Sequence, residues 1–253
     1  MRQLVIAIPV DADVDRDRWP STGRLRSPVA GRLHTEGPTP VERLPVVQHV
    51  ALTGRFTDAV AYAAVAHAGQ VRKGTDVPYL AHLLTVAALV LEHGGDELQA
   101  TAGVLHDVVE DCGGQRRLED VRVRFGTDVA DLFHALSDAA PADGERKAPW
   151  PERKEAYLDH LRDLARSGHP AVLVSLCDKL HNAQAIVADA TDPDGPGAAV
   201  WDRFKAGPEQ VAWYYRSLWK AYAEAEGLPS RAVRDLDETI EALTAAARRT
   251  SAA

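Results

Sequence analysis

Residues 105–111, with the sequence LHDVVED, constrain this chain more than any other stretch. They lie in a run over residues 100–112 whose apolar side chains recur at spacings of three and four, which is typical of a helix with one apolar face. Glycine pairs at 94–95 and 113–114 flank the run, as expected at helix ends. The sequence therefore predicts a single buried helix over residues 100–112.

Four ionisable side chains crowd onto this predicted helix. His106 and Glu110 are four residues apart, as are Asp107 and Asp111, so each pair lies on one side of a helix, one turn apart. Partly buried charges destabilise a fold unless a partner compensates them, and a divalent cation would do so. The alternative is a solvated helix face with ordinary charges, and the rest of the chain decides between the two.

The composition is that of a soluble globular protein. The chain has 253 residues, of which 45% are hydrophobic and 26% charged, which fits one medium domain or a domain with appendages. A net charge of -8 argues against binding nucleic acid. Cys112 and Cys177 are too few for a disulfide framework and fit a reducing cytoplasm. No apolar run approaches the roughly 20 residues that span a membrane, so we expect a cytoplasmic protein without a membrane partner.

Helical periodicity dominates from Thr57 onward, with Thr57 as the expected N-cap of the first helix. Alternating β-branched and polar residues are scarce, so the predicted fold class is all-α. Residues 1–52 are predicted to form a partly irregular, proline-rich arm with a candidate β-hairpin. Residues 228–253 are predicted to form a C-terminal amphipathic helix.

Candidate metal ligands occur on three predicted helices. They are His82, the pair His106 and Asp107, and Asp178. Asp178 lies in an apolar helical run, where a carboxylate usually has a partner. Two histidines and two carboxylates form a mixed nitrogen and oxygen set that suits Mn, Fe, Co or Zn, and the sequence does not choose among them.

These residues resemble the H…HD…D pattern of the HD-domain metal-dependent phosphohydrolases. The wider sequence is similar to the hydrolase domain of the Rel/Spo-type enzymes, which cleave the alarmone (p)ppGpp. The segments that carry this similarity are AHAGQ (66–70), RK (72–73), PY (78–79), LHDVVED (105–111), FG (125–126) and DKLHN (178–182). The similarity extends over about residues 56–190 and predicts an HD-type hydrolase domain over residues 53–227.

The resemblance implies a role for each matching residue. A divalent metal, Mn by resemblance, would be bound by the four candidate ligands named above. Glu110 and Asp111 match the acidic pair that activates water and assists catalysis. Arg72, Lys73 and Asn182 match residues that contact the nucleotide, and a guanidinium can both stack on a base and bind phosphate through two hydrogen bonds.

The chain departs from the Rel/Spo pattern around its last motif. The family usually has arginine, arginine and threonine where this chain has Lys179, Gln184 and Ala185. Ala185 lacks a hydroxyl that would help to recognise the base, whereas the metal ligands are unaffected. Three neighbours of the motifs are expected to be structural: His67 as a hydrogen-bonded residue, Tyr79 as a packing residue, and His181 as a packing residue or a support for the ligands.

The resemblance implies a small stand-alone hydrolase of the stringent response that releases the 3′-pyrophosphate of (p)ppGpp. Two alternatives remain open. One is an HD-type nucleotidase or other nucleotide phosphohydrolase, which would release orthophosphate instead of pyrophosphate. The other is a regulator that binds a nucleotide without turnover. We expect a small-molecule nucleotide partner, whereas the oligomeric state and the role of residues 1–50 do not follow from the sequence.

Overall fold

A computed structural model of the protein describes residues 50–136 and 148–251. Within these ranges the chain is helical, and the β contact between Val71 and Pro78 is an isolated antiparallel bridge. The all-α fold class is confirmed. The candidate β-hairpin lies almost wholly outside the described residues, and residues 50–52 have no regular structure.

The described chain forms ten α-helices and one 3₁₀ helix. In chain order these are α1 (Gly54–Ala66), α2 (Leu80–Glu92), α3 (Glu97–Leu105), α4 (Val108–Cys112), α5 (Gly114–Phe125), α6 (Thr127–Leu136), α7 (Trp150–Arg166), α8 (Ala171–Thr191), the 3₁₀ helix (Gly197–Arg203), α9 (Pro208–Ala223) and α10 (Ser230–Ser251). None of the helices in the described ranges is both long and apolar enough to cross a membrane.

Side-chain caps determine where two of the helices begin. Helix α1 begins one turn before the predicted position, because Thr53 and not Thr57 is its N-cap and its hydroxyl accepts a hydrogen bond from Arg55 N at 3.2 Å. Helix α3 begins with a reciprocal capping box, in which Asp96 and Gln99 each accept from the other's backbone N–H. These caps set the start of the two helices that pack against α2 near the centre of the fold.

The predicted single helix over residues 100–112 is wrong. Helix α3 ends at Leu105 and α4 begins at Val108, with Asp107 as its N-cap. The Nδ1 atom of His106 lies 2.8 Å from the carbonyl oxygen of Gly103, the acceptor that a continuous helix would offer to the backbone N–H of Asp107. The break takes His106 and Asp107 out of regular helix and leaves Glu110 in the first turn of α4.

Helix α8 lies at the centre of the described fold. It packs against α2, α3, α6, α7, α9, α10 and the 3₁₀ helix, and 11 of its 21 residues are buried. Helix α10 packs on α8 and α9 through a stripe that includes Leu236, Ile240 and Leu243, all of them buried. The boundaries predicted for the N-terminal arm, the hydrolase domain and the C-terminal helix stay predictions.

Helices α2 and α3 approach each other closely at Gly103. A Cβ atom built there would lie 3.4 Å from Ala87 Cα on α2, which is van der Waals contact with the backbone of the neighbouring helix. Both helices also pack on α8. This arrangement brings the start of α2, the end of α3 and the middle of α8 to one place, and each of these carries a predicted ligand.

Candidate metal centre

Three of the four predicted ligands, His82, His106 and Asp107, have ligand atoms within 4.8 Å of one another, and Asp178 lies beside both histidines. The Nε2 atom of His82 lies 3.2 Å from Oδ1 of Asp178 and 3.7 Å from Oδ2 of Asp107. The Nε2 atom of His106 lies 3.0 Å from the same Asp107 oxygen and 3.5 Å from the same Asp178 oxygen. His82 is 1% exposed and Asp178 is 8% exposed, so the group is largely withdrawn from water.

These spacings fit a divalent metal. Ligand atoms held about 2.0–2.2 Å from one ion lie roughly 3.0–3.6 Å from each other in octahedral or tetrahedral geometry. The Nε2 atom of His106 is buried without a hydrogen-bond partner in the described structure, although it faces two carboxylates. Because Nδ1 of His106 donates to the carbonyl oxygen of Gly103, Nε2 is the nitrogen that could bind a cation once the ring has lost its second proton.

Charge pairing shifts the acidity of these groups. Burial alone would lower the pKa of His106, but the carboxylates of Asp107 and Asp178 outweigh it and raise that pKa well above its ordinary value. Burial alone would raise the pKa of Asp107, but His106 outweighs it and holds that pKa at about 2. Burial lowers the pKa of His82. The carboxylates are therefore charged at neutral pH, and in the absence of a metal the protonated ring of His106 and the ammonium group of Lys179 balance their charge.

Three residues hold the two carboxylates in place. The Tyr79 hydroxyl donates to Oδ2 of Asp107, Lys179 Nζ donates to Oδ2 of Asp178 at 2.7 Å, and Asn182 Nδ2 donates to Oδ1 of Asp178 at 2.6 Å. Tyr79 packs against the ring of His67, as expected, at a centroid distance of 5.0 Å. The hydrogen bond of the Tyr79 hydroxyl and the ion pair of Lys179 were not predicted, although a lysine next to an aspartate flanked by apolar residues could have suggested such a pair.

Arg72 and Asn182, two of the three residues predicted to contact substrate, lie together beside the metal ligands. Arg72 Nη2 donates to Oδ1 of Asn182 at 3.1 Å, and Arg72 Nη1 lies 3.4 Å from Nδ1 of His181. Burial lowers the pKa of His181 to about 4, so this imidazole is neutral at pH 7. Arg72, whose guanidinium is always charged, is therefore the cationic member of this pair.

Lys73 is directed elsewhere. Its Nζ donates to the backbone oxygen of Arg203, at the end of the 3₁₀ helix. The Arg203 guanidinium in turn pairs with Asp189 and donates to the carbonyl oxygen of Gly74 at 3.2 Å. These contacts tie the loop that carries Arg72 and Lys73 to the 3₁₀ helix, and they leave Arg72 as the member of the pair that faces the metal ligands.

Glu110 and Asp111 lie in the first turn of α4, directly after the ligand pair, and both are exposed. Oδ2 of Asp111 accepts a hydrogen bond from Gln70 Nε2 at 2.8 Å, and Gln70 Oε1 lies 2.8 Å from Nδ1 of His67. This series of hydrogen bonds, from His67 through Gln70 to Asp111, orients one carboxylate of the predicted catalytic pair.

Two lysines lie over tyrosine rings where α7, α8 and α9 meet. Lys179 Nζ lies 5.4 Å from the ring centroid of Tyr157, and Lys154 Nζ lies 4.7 Å from that of Tyr214. Both distances are those of cation–π contacts. Both amines thus lie over aromatic rings.

The fold and the site define an all-α protein with a buried cluster of two histidines and two aspartates suited to a divalent metal. A family model described as the HD domain matches residues 59–204, which is more than half of the 253 residues. The chain belongs to the HD-domain family.

Curated relatives share part of the chain. A guanosine-3′,5′-bis(diphosphate) 3′-pyrophosphohydrolase from Vibrio cholerae is 31% identical over 126 residues, and a GTP pyrophosphokinase from Streptomyces coelicolor is 36% identical over 121 residues. These stretches cover 49% and 47% of this chain but only 17% and 13% of the two relatives. The two names describe different activities, so neither name by itself assigns one to this chain.

A solved structure shares the fold. It is described as a metazoan ortholog of SpoT that hydrolyzes ppGpp, and it matches with a TM-score of 0.59 at 24% sequence identity. The match covers 76% of this chain and 97% of that one. About three quarters of the present chain therefore has a fold that another protein also adopts.

Proposed function

We propose that this protein is a metal-dependent phosphohydrolase that acts on a nucleotide, with (p)ppGpp as substrate and the 3′-pyrophosphate as leaving group. The observation that carries the proposal is the convergence of His82, His106, Asp107 and Asp178 within 3.0–3.7 Å of their nearest partners. Two imidazole nitrogens that face two carboxylates in this way form a mixed nitrogen and oxygen donor set suited to a divalent cation.

A metal bound by these four residues would lower the pKa of a water molecule and stabilise negative charge on a phosphoryl oxygen. The protein's own acidic pair then has two tasks. A carboxylate oxygen of Glu110 accepts the proton of the attacking water, since this residue follows the ligand pair in the first turn of α4. Asp111, oriented by Gln70, assists from the neighbouring position.

Cationic groups around the site favour a substrate rich in phosphate. Arg72 binds a phosphate or stacks on the base, and Asn182 holds both Arg72 and Asp178 in position. The name of the Vibrio cholerae relative and the description of the metazoan structure both refer to ppGpp, which supports the same substrate here. We also propose Mn as the working metal, as the resemblance to the Rel/Spo-type enzymes implies, and the cytoplasm as the compartment, because the chain has only two cysteines.

Product identification tests the proposal directly. The full-length protein is incubated with Mn²⁺ and, in separate reactions, with ppGpp, GTP, deoxynucleoside monophosphates and a 3′-phosphorylated nucleotide. We expect release of pyrophosphate from ppGpp and little orthophosphate from the monophosphates. The Asp107→Ala variant serves as the blank for contaminating hydrolases, because it lacks one of the four ligands.

A nucleotidase is the second candidate function, and the sequence after Asn182 favours it. Gln184 is exposed and Ala185 carries no polar group, in places where the Rel/Spo-type enzymes have arginine and threonine. A missing polar contact costs about 1–3 kcal/mol, equivalent to a ten- to hundred-fold loss of affinity. Orthophosphate from the monophosphates with ppGpp left intact would select this second function.

A further inference from the structure

His181 makes an unusual contact with one of the metal ligands. Its Nδ1 atom lies 2.7 Å from the Nδ1 atom of His82, and the two ring planes differ by only 16°. The ring centroids are 4.9 Å apart, which is the distance expected when two imidazoles meet edge to edge through their Nδ1 atoms. One nitrogen must therefore donate and the other accept.

The position of Arg72 indicates which of the two Nδ1 atoms donates. Its Nη1 lies 3.4 Å from the same Nδ1 atom of His181. A guanidinium has only donors, so the His181 nitrogen that it faces must carry a lone pair. His82 consequently carries its proton on Nδ1 and donates it to His181. The Nε2 atom of His82 is then without a proton, and it is this atom that faces Asp107 and Asp178.

We propose that His181 is a positioning residue that holds His82 in the tautomer required for metal binding. The inference rests on the proposed function only in assuming that the site binds a metal. His181 does this as a hydrogen-bond acceptor, in the same way that the carbonyl oxygen of Gly103 fixes the tautomer of His106. With Nδ1 engaged in this way, each histidine has Nε2 left to bind the same metal ion.

The same nitrogen connects the metal ligands to Arg72. Arg72 bonds on one side to His181, which contacts His82, and on the other side to Asn182, which donates to Asp178 at 2.6 Å. The guanidinium therefore bridges the supports of two ligands that come from different helices, α2 and α8. We infer that the metal site and the guanidinium that would bind substrate share one hydrogen-bond network.

The variants His181→Asn and His181→Leu separate this role from packing. Asparagine and leucine have nearly the same shape, but only asparagine retains an acceptor close to the position of the imidazole Nδ1. The affinity for Mn²⁺ alone is measured on the full-length, metal-free protein by the electron paramagnetic resonance signal of free Mn²⁺. We expect His181→Leu to bind Mn²⁺ about 10- to 100-fold more weakly than the parent, and His181→Asn to stay within a few-fold of it.

His169→Leu is the matched control, because His169 is also half-buried and lies beside α8, with its ring accepting from Ala171 N at 3.2 Å. It should bind Mn²⁺ as the parent does. Equal losses in the leucine and asparagine variants at position 181 would overturn the proposal, since packing alone would then explain them. Melting curves of the metal-free variants show whether each one is folded.

Nitrogen-15 chemical shifts of the imidazoles in the parent loaded with diamagnetic Zn²⁺ give a second test that does not depend on activity. We expect a protonated Nδ1 and a metal-bound Nε2 on His82, and a bare Nδ1 on His181. The opposite tautomer on His82 would overturn the proposal. Absence of ppGpp hydrolysis with the expected shifts and Mn²⁺ affinities would instead contradict only the proposed substrate.

Discussion

The Tyr79 hydroxyl donates a hydrogen bond to Oδ2 of Asp107, the same oxygen that lies 3.0 Å from Nε2 of His106. Burial, and then the charge of Asp107, raises the pKa of Tyr79 far above its ordinary value, so the phenol keeps its proton and remains a donor. Tyr79 itself stands at the N-cap of α2, the helix that carries His82. One side chain therefore orients an aspartate ligand from the helix that supplies a histidine ligand.

We expect Tyr79→Phe to weaken metal binding by about ten-fold, because loss of a hydrogen bond to a ligand typically costs ten- to hundred-fold in affinity. Competition with a fluorescent chelator measures this change. Tyr62→Phe is the control, since the Tyr62 hydroxyl donates to an aspartate remote from the ligands, Asp120, at 2.6 Å. If both variants bind metal equally well, Tyr79 is only a packing residue.

Purified parent protein should carry close to one transition metal per chain, and Asp107→Ala should carry almost none. Removing this carboxylate leaves three ligands and too little negative charge to neutralise the cation. Elemental analysis after gel filtration measures the content. Asp163→Ala controls for the loss of a carboxylate in general, because Asp163 is 73% exposed in a surface pair with Arg166. Equal metal in the two variants would refute the ligand assignment.

Glu110→Gln should keep the fold and the metal but lose about 100-fold in turnover, since an amide has the shape of the acid and cannot accept a proton. The decisive measurement is kcat for the substrate identified by product analysis, together with metal content. Glu119→Gln is the control, because Glu119 is 71% exposed on α5 and pairs with Arg122. Turnover equal to that of the parent would show that Glu110 is not the general base.

Periodicity predicted the all-α fold class, because helical spacing is local. The motif selected four residues that the structure brings close together, and their role as metal ligands stays a prediction. The break at His106 was not predictable in this way. Periodicity depends only on which residues are apolar. The break between α3 and α4 instead occurs where the ring of His106 forms a hydrogen bond with the carbonyl oxygen of Gly103. The first cap was also misplaced, since Thr53 and Thr57 are both suitable residues one turn apart.

Long-range pairing limits what a sequence predicts about a site. Arg72 and Lys73 are neighbours with like charges, yet Arg72 contacts Asn182 and Lys73 contacts the backbone of Arg203. The partners lie 110 and 130 residues away along the chain. Motif similarity assigns both residues to the substrate, and only the packing of the 3₁₀ helix against α8 separates them.

The last prediction concerns His93, a buried histidine at the end of α2 that lies away from the metal ligands. Its side chain is 1% exposed, and neither ring nitrogen has a hydrogen-bond partner in the described structure. Burial lowers the pKa of His93, and Arg231 acts in the same direction, while Asp235 at 3.7 Å and Glu92 partly oppose this shift. The folded protein therefore binds fewer protons at this residue than the unfolded chain does.

The free energy of unfolding should consequently fall as the pH drops below about 6.5, the ordinary pKa of histidine, because protons then favour the unfolded chain. The loss continues until the pH reaches the lowered pKa of the folded state. His93→Leu removes the titrating group and fills a similar space, so its stability should fall less between pH 7.5 and pH 5.5. Urea unfolding of the metal-free parent and variant at both pH values gives the change in the free energy of unfolding for each protein. The contributions of all other titrating groups cancel when the two changes are subtracted. Parallel pH dependence in the two proteins would show that His93 has the same affinity for protons in the folded and unfolded states.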